Sequence, residues 1–164
     1  MSIFNRQKTD VDEVYNKYAD ILYRVALSHL ANTEDAQDVV QDVFVKYMTA
    51  APVLYNDDHE RAWLIRVTIN RCRDVIRRKK VREVVPLDEA MHIPAKEEGD
   101  VSELLKCLSC IPVKYRETVI LHCLEGFSQQ DTAKILGVSL SAVKMRISRA
   151  RETLRKIRQE EKDV

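Results

Sequence analysis

Apolar residues recur at three- and four-residue steps along most of the chain. Val14, Tyr15, Tyr18, Leu22, Ala26 and Leu30 make one such stripe, and Ala36, Val39, Val40, Val43, Phe44 and Tyr47 make a second, which predicts two amphipathic helices. Asn32-Thr33-Glu34-Asp35 supplies a cap and first-turn acids for the second of them. After a loop containing Pro52, Asp57 and Glu60 stand three apart, a capping-box signal for a third helix running to about Lys80. Residues 83–102 break the pattern: they carry two prolines and many acids and show no sustained period, so they are read as a linker. Helical patterning returns over Val101 to Cys110 and Pro112 to Leu124. Ser128 then caps a short helix ending at Leu136, Gly137-Val138-Ser139 makes a turn, and a second helix begins at Leu140. That helix lines up Val143, Ile147, Ala150, Leu154 and Ile157 on one side. The expected fold class is all-α: two small helical domains, 1–82 and 103–164, joined by an acidic flexible linker over 83–102. A short helix, a glycine turn and a longer helix give the C-terminal domain a helix-turn-helix.

Composition narrows this further. The 164 residues include only three glycines and four prolines, too few for a turn-rich β fold. No apolar run approaches the ~18 residues of a membrane span, and the N-terminal residues Met1-Ser2-Ile3-Phe4-Asn5-Arg6 lack the apolar stretch of a secretory signal, so the chain is expected in the cytoplasm. Its four cysteines, Cys72, Cys107, Cys110 and Cys123, are too few and too clustered for a disulfide framework and are expected reduced.

The charge total, 27 basic against 26 acidic residues, hides a segregated pattern. Arg61 to Arg82 holds nine basic residues against Asp74, and Ser141 to Arg158 holds seven against Glu152. Ser28 to Glu60 and Glu83 to Leu104 each hold seven acids against one lysine. Two basic elements far apart in a near-neutral chain suit a polyanion partner.

In the first basic element, Ile65, Ile69, Cys72 and Ile76 fall on one stripe of a helix, and Arg66, Asn70, Arg73 and Arg77 fall on another, with Trp63 at the edge of this polar rail. An aromatic ring among cations suits single-stranded DNA, where the ring stacks on a base and the charges follow the backbone. Asn70 carries both a donor and an acceptor for the edge of an extruded base. A lone Trp on a helix is more often simply buried, and the helix alone does not separate single strand from duplex. The second basic element is the second helix of the helix-turn-helix, where Ser141, Lys144, Met145, Ser148 and Arg149 are placed to meet base edges or phosphates in the major groove. Asp35, Asp38 and Asp42, with Gln41 beside them, share one side of the second helix. That face repels DNA and reads either as a solvated surface or as a dock for a basic helical partner.

There is no catalytic constellation and no Gly-rich phosphate loop, so neither enzymatic activity nor a cofactor is expected, and His29, His59, His92 and His122 are scattered. Cys107 and Cys110 have metal-site spacing, but no second pair accompanies them. They are expected to pack with Leu104, Leu108 and Ile111 on an apolar helix side, and no metal is expected.

These residues together resemble a bacterial extracytoplasmic-function (group 4) sigma factor of the sigma-70 family, in its minimal two-domain form, over about 10 to 158. The segments that carry the resemblance are Glu34 to Phe44, Arg61 to Asn70 with Asp74 to Arg78, Ile111 to Arg116, Gly126 to Ser128, Leu136 to Ser139, and Val143 to Arg151. The resemblance implies that Asp35, Asp38, Gln41, Asp42 and Phe44 bind the β′ clamp helices of core RNA polymerase, with a further contact of the second domain to the β flap. It implies that Arg61, Trp63, Arg66, Asn70, Arg73, Arg77 and Arg78 melt and read the −10 element, Asn70 capturing a flipped base. It assigns Ser139, Ser141, Lys144, Met145, Arg146, Ser148 and Arg149 to the duplex −35 element. Met145 stands where the family often has Ser, Ser141-Ala142 where it has Gly-Thr, and Thr132 where it has a bulky aliphatic residue. An anti-sigma partner, able to hold the chain near the membrane, is implied in the same way. The rival reading is a helix-turn-helix regulator that acts without core polymerase.

Overall fold

A computed structural model describes residues 11–50, 52–82 and 106–163. The linker assigned to 83–102, and Leu104, lie outside the described residues. Among the described residues all regular structure is helical: α1 Val11–Leu30, α2 Thr33–Ala50, α3 Asp57–Arg82, α4 Val113–Val119 continued by a π-turn Ile120–Leu124, α5 Gln129–Leu136 and α6 Leu140–Lys162.

The helix ends follow from local chemistry. Ala31 takes a left-handed φ of 49° to close α1, and the Asn32 side chain then accepts a hydrogen bond from the Asp35 amide at 2.9 Å to open α2. The cap of α3 differs from the expected Asp57–Glu60 box. Asn56 accepts from the His59 amide at 2.9 Å, one residue earlier, because its side-chain carbonyl already meets the first free amides. Asp57 and Glu60 are thereby left to tie the bundle together, Asp57 to Lys17 of α1 at 2.9 Å and Glu60 to the Tyr47 hydroxyl of α2 at 2.8 Å. Ser128 caps α5 as its position predicts, Ser139 at the end of the turn caps α6, and Gly137 ends α5 at φ 67°.

The core begins as the three-helix packing of Leu22, Val25, Ala26, Val39, Val43, Leu64, Ile65 and Ile69. It does not stop at the end of α3. Leu108, Ile111, Ile120, Leu121, Phe127 and Leu136 from the second half belong to the same buried cluster, so the two halves share one apolar interior. A smaller cluster of Ala133, Val143 and Ile147 seats α6 on α5. The expected packing of Cys107 and Cys110 is not observed. Both are exposed, whereas Leu108 and Ile111 turn inward. The helical turn ends at Cys110, where the bend into Pro112 leaves the two thiols on its outer side.

Candidate nucleic-acid interface

On α3 the amphipathic split holds. Ile65, Ile69 and Cys72 are buried, while Arg66, Asn70, Arg73, Arg77 and Arg78 are exposed along the opposite side. Burial pushes the Cys72 thiol up to about 12, so it stays protonated beneath the rail. Asn70 borders a hollow of about 350 Å³ between α2 and α3, together with Lys46, Thr49, Arg71 and the carboxylates of Asp42 and Asp74. Trp63 is half-buried with its ring edge on Tyr47, centroids 5.9 Å apart, and is packed against the core, so it forms a wall more than a free stacking platform.

The rail is not uniformly open. Arg77 pairs with Asp74 on its own helix. Arg73 donates through Nη2 to Glu117 Oε2 at 2.8 Å and through Nε to Oε1 at 3.3 Å. Arg61 turns away from the rail: its guanidinium lies 4.3 Å from the Phe127 ring centroid and donates to the Glu125 carbonyl at 3.3 Å. Two of the seven residues that the resemblance assigns to the −10 element, Arg61 and Arg73, thus engage the second half of the chain.

On α6, the buried Val143, Ile147 and Ala150 fix the helix, so Ser141, Lys144, Met145, Ser148 and Arg149 face outward. Ser139 spends its hydroxyl on the Ala142 amide at 3.1 Å. Arg146 points elsewhere, toward the Lys114 carbonyl at 3.5 Å, and lines a cleft with Arg73, Arg77 and Lys80 of α3. Met145, 46% exposed, is the apolar member of the outward face and suits contact with a thymine methyl.

The acidic side of α2 is exposed at Asp38, Gln41 and Asp42. Asp42 accepts two hydrogen bonds from Arg71, at 2.7 and 2.9 Å, and Asp35 pairs with Lys79, so α3 cations steady two of the acids. Phe44 is buried against Tyr15, ring centroids 4.9 Å apart, and supports this face from beneath.

Three polar residues at the junction of the halves were not found by pattern. Glu117, on α4, is 2% exposed and accepts from His29 Nε2 at 2.9 Å as well as from Arg73. His29 Nδ1 lies 2.8 Å from the Val25 carbonyl, so each ring nitrogen is within hydrogen-bond reach of an oxygen. Burial raises the affinity of Glu117 for a proton, but the His29 and Arg73 hydrogen bonds and charges outweigh it and hold the carboxyl below its usual range. Arg116 is also buried and donates to three carbonyls, Ile111 and Ser28 at 2.6 Å and Ser109 at 3.1 Å, while burial lowers its proton affinity. The available signal was the adjacent charged pair Arg116-Glu117 directly before the apolar residues Val119, Ile120 and Leu121.

Among the described residues no group of His, Cys, Asp and Glu side chains is arranged to hold a metal ion, and no helix is long and apolar enough to cross a membrane. The chain matches the family models for sigma-70 region 2 over residues 14–82 and sigma-70 region 4 over residues 102–154. It is 30% identical over 149 residues to the ECF RNA polymerase sigma factor SigM of Mycobacterium tuberculosis, spanning 89% of this chain and 76% of the relative. It is 29% identical over 155 residues to the RNA polymerase sigma factor SigZ of Bacillus subtilis, spanning 90% and 86%. Among solved structures, the sigma factor RpoE in complex with the anti-sigma factor NepR from Bartonella quintana shares the fold with a TM-score of 0.68 and 26% identity, covering 90% of this chain and 98% of that one. With two basic helices on separate halves and an acidic helix beside the first, the chain belongs to the ECF sigma factors of RNA polymerase.

Proposed function

We infer that this sigma factor, which is not an enzyme, docks on core RNA polymerase and directs promoter-specific initiation by reading duplex −35 DNA and melted −10 DNA. The observation that carries this reading is the placing of exposed cationic residues on both α3 and α6, beside an acidic face on α2 whose Asp35 and Asp42 pair with Lys79 and Arg71 of α3. That segregation of charge by helix assigns nucleic acid to two surfaces and protein to the third. A regulator working alone would need only α6.

Within that reading we assign it to group 4, with region 2 over 1–82, a linker over 83–102 and region 4 over 103–164. Asp38, Gln41 and Asp42 meet the β′ clamp helices, region 4 meets the β flap, and Phe44 shapes the docking face from within. Lys144, Met145, Ser148 and Arg149 enter the major groove. Asn70, Arg66, Arg77 and Arg78 hold the −10 strand, and the hollow beside Asn70 takes an extruded base. Unstacking a base costs a few kcal/mol, so Asn70 acts on opening more than on duplex affinity. The protein works in the cytoplasm, where an anti-sigma partner, able to tether it near the membrane, masks these surfaces.

Asn70→Ala is expected to lower open-complex formation on cognate promoters, read by permanganate footprinting, with duplex −35 binding unchanged. Lys144→Ala is expected to weaken −35 binding and flatten its salt dependence by ~0.9 in log–log slope, the value of one phosphate contact. Co-purification with core polymerase tests the docking. An Asn70 variant that opens promoters normally, or a chain that does not retain core polymerase, would overturn the corresponding part.

A further inference from the structure

Cys107 and Cys110 take no part in promoter reading, and among the described residues no third His, Cys, Asp or Glu completes a metal site around them. Both side chains are exposed on the outer side of the turn that leads into α4. We propose that Cys107 and Cys110 form a reversible redox pair, bridged within one chain by hydroperoxides and returned to the dithiol by thiol reductants. This goes beyond the promoter reading and does not depend on it.

The backbone sets the spacing of the two sulfurs. The Cys110 amide donates to the Cys107 carbonyl at 3.3 Å, and the Ile111 amide donates to the Leu108 carbonyl at 3.1 Å. Successive bonds between residues three apart tighten the last turn toward the 3₁₀ form, in which side chains three apart lie one above the other. At ~2.0 Å of rise per residue the two Cα atoms are ~6 Å apart, inside the ~4.4–6.8 Å range that disulfides span. Leu108 and Ile111 are buried and anchor the turn, which leaves both cysteines on its solvent side. Arg116 holds the same turn from beneath. It donates through Nη2 to the Ser109 carbonyl, between the two cysteines, at 3.1 Å, and through Nε to the Ile111 carbonyl at 2.6 Å. A bridge here would enclose only Leu108 and Ser109. The chain entropy that a cross-link removes grows with loop length, so this one is a weak staple. Exposed bridges of that kind are the labile ones, formed and broken by exchange. In a reducing cell interior such a pair rests as the dithiol and is bridged only transiently.

Cys110 is the attacking residue. Its Sγ donates to the Lys106 carbonyl at 3.5 Å, so the sulfur leans back along the turn toward Cys107. Burial lowers the proton affinity of Arg116 and the charge of Cys110 opposes that, so guanidinium and sulfur lie within electrostatic reach. Thiolates beside cations are the reactive form of cysteine. The Cys110 thiolate attacks one oxygen of the hydroperoxide and the O–O bond breaks. Sulfur becomes a sulfenic acid, and the departing oxygen is protonated to an alcohol or to water. Cys107 Sγ then attacks the Cys110 sulfur, the S–S bond forms, and hydroxide leaves and takes up the Cys107 proton as water. Two thiols have lost two electrons and two protons, and the peroxide has gained them. Cys72 lies buried and Cys123 stands on the π-turn, so neither shares this turn.

The test treats the full, reduced chain with hydrogen peroxide and follows it by peptide mass spectrometry. Trypsin cuts after Lys106 and Lys114, so the peptide from Cys107 to Lys114 carries both cysteines and neither of the others. In the wild type this peptide is expected to become two hydrogens lighter and to regain them with dithiothreitol. Cys107→Ser is expected to leave a Cys110 sulfenic acid that dimedone traps, whereas in the wild type Cys107 consumes it. Cys110→Ser is expected to form the corresponding Cys107 adduct at least about tenfold more slowly, a gap that closes in urea, where Arg116 no longer stands beside the turn. Both substitutions fall on exposed positions, so the variants keep their helicity by circular dichroism. A wild-type peptide that keeps both thiols, or whose cysteines end as separate sulfinic acids, would refute the pair. A peptide joined to its copy from a second chain would refute it as well. Equal rates for the two folded variants would overturn Cys110 as the attacking residue. Zinc in the purified protein by elemental analysis, lost in both serine variants, would show a metal site in place of a redox pair.

Discussion

Thr132 offers a measurement of what one buried hydroxyl costs this fold. It lies on α5 with no solvent exposure, and its Oγ1 has no hydrogen-bond partner. An unsatisfied buried hydroxyl costs ~1–3 kcal/mol. Thr132→Val keeps the β-branched shape, so helix propensity barely changes, and it swaps the orphan oxygen for a methyl that gains burial. The expected stabilisation is ~1–2 kcal/mol. At ~2–4 °C per kcal/mol for a chain of this size, the melting temperature should rise by about 4 °C. Thr68 is the control. It is equally buried, but its Oγ1 donates to the Leu64 carbonyl at 2.8 Å, so Thr68→Val forfeits a hydrogen bond and should be neutral or destabilising by up to ~1.5 kcal/mol. Urea unfolding followed by circular dichroism gives both values under one set of conditions. If Thr132→Val destabilises the protein as much as Thr68→Val does, the hydroxyl is satisfied in solution and the reasoning fails.

Two further outcomes follow from the junction and from α3. Glu117 is held below its unfolded proton affinity, so its contribution to stability is fully present above the ordinary carboxylate range, near 4.5, and is lost as pH falls from there through its depressed native value. Stability curves should fall on acidification in that window, and Glu117→Gln should flatten the fall; equal slopes for the two proteins would remove Glu117 as a source. Cys72, buried with its thiol raised to about 12, should resist iodoacetamide at pH 8 in the folded protein while the exposed Cys110 and Cys123 are alkylated. Peptide mass spectrometry that found Cys72 modified at a comparable rate would show that α3 opens far more readily than its burial implies.

The helices and the basic elements were legible because they are local properties. A stripe such as Val143, Ile147 and Ala150 must be buried once it is helical, and Ser128, Ser139 and Gly137 act on their own neighbours. The same stripes turn Lys144 and Arg149 outward, so the recognition face was readable without any tertiary information. Local signals misled where two residues offered the same service. Asn56 took the cap assigned to Asp57, and the spacing of Cys107 and Cys110 suggested an inner side where the bend before Pro112 makes an outer one.

What the sequence determined by itself is therefore the set of helices, the side of each that is buried, and the segregation of charge into two cationic surfaces and one acidic face. Tertiary structure decided which of those charges are available. The His29–Glu117 and Arg116–Ser28 contacts each span 88 residues, and nothing in a helical period encodes a partner at that distance. The physical reason is that periodicity reports whether a side chain faces an interior, whereas pairing depends on which two interiors are merged. By joining the halves through one core, the fold gives Arg61 and Arg73 partners within the chain and leaves Asn70, Lys144 and Arg149 facing solvent.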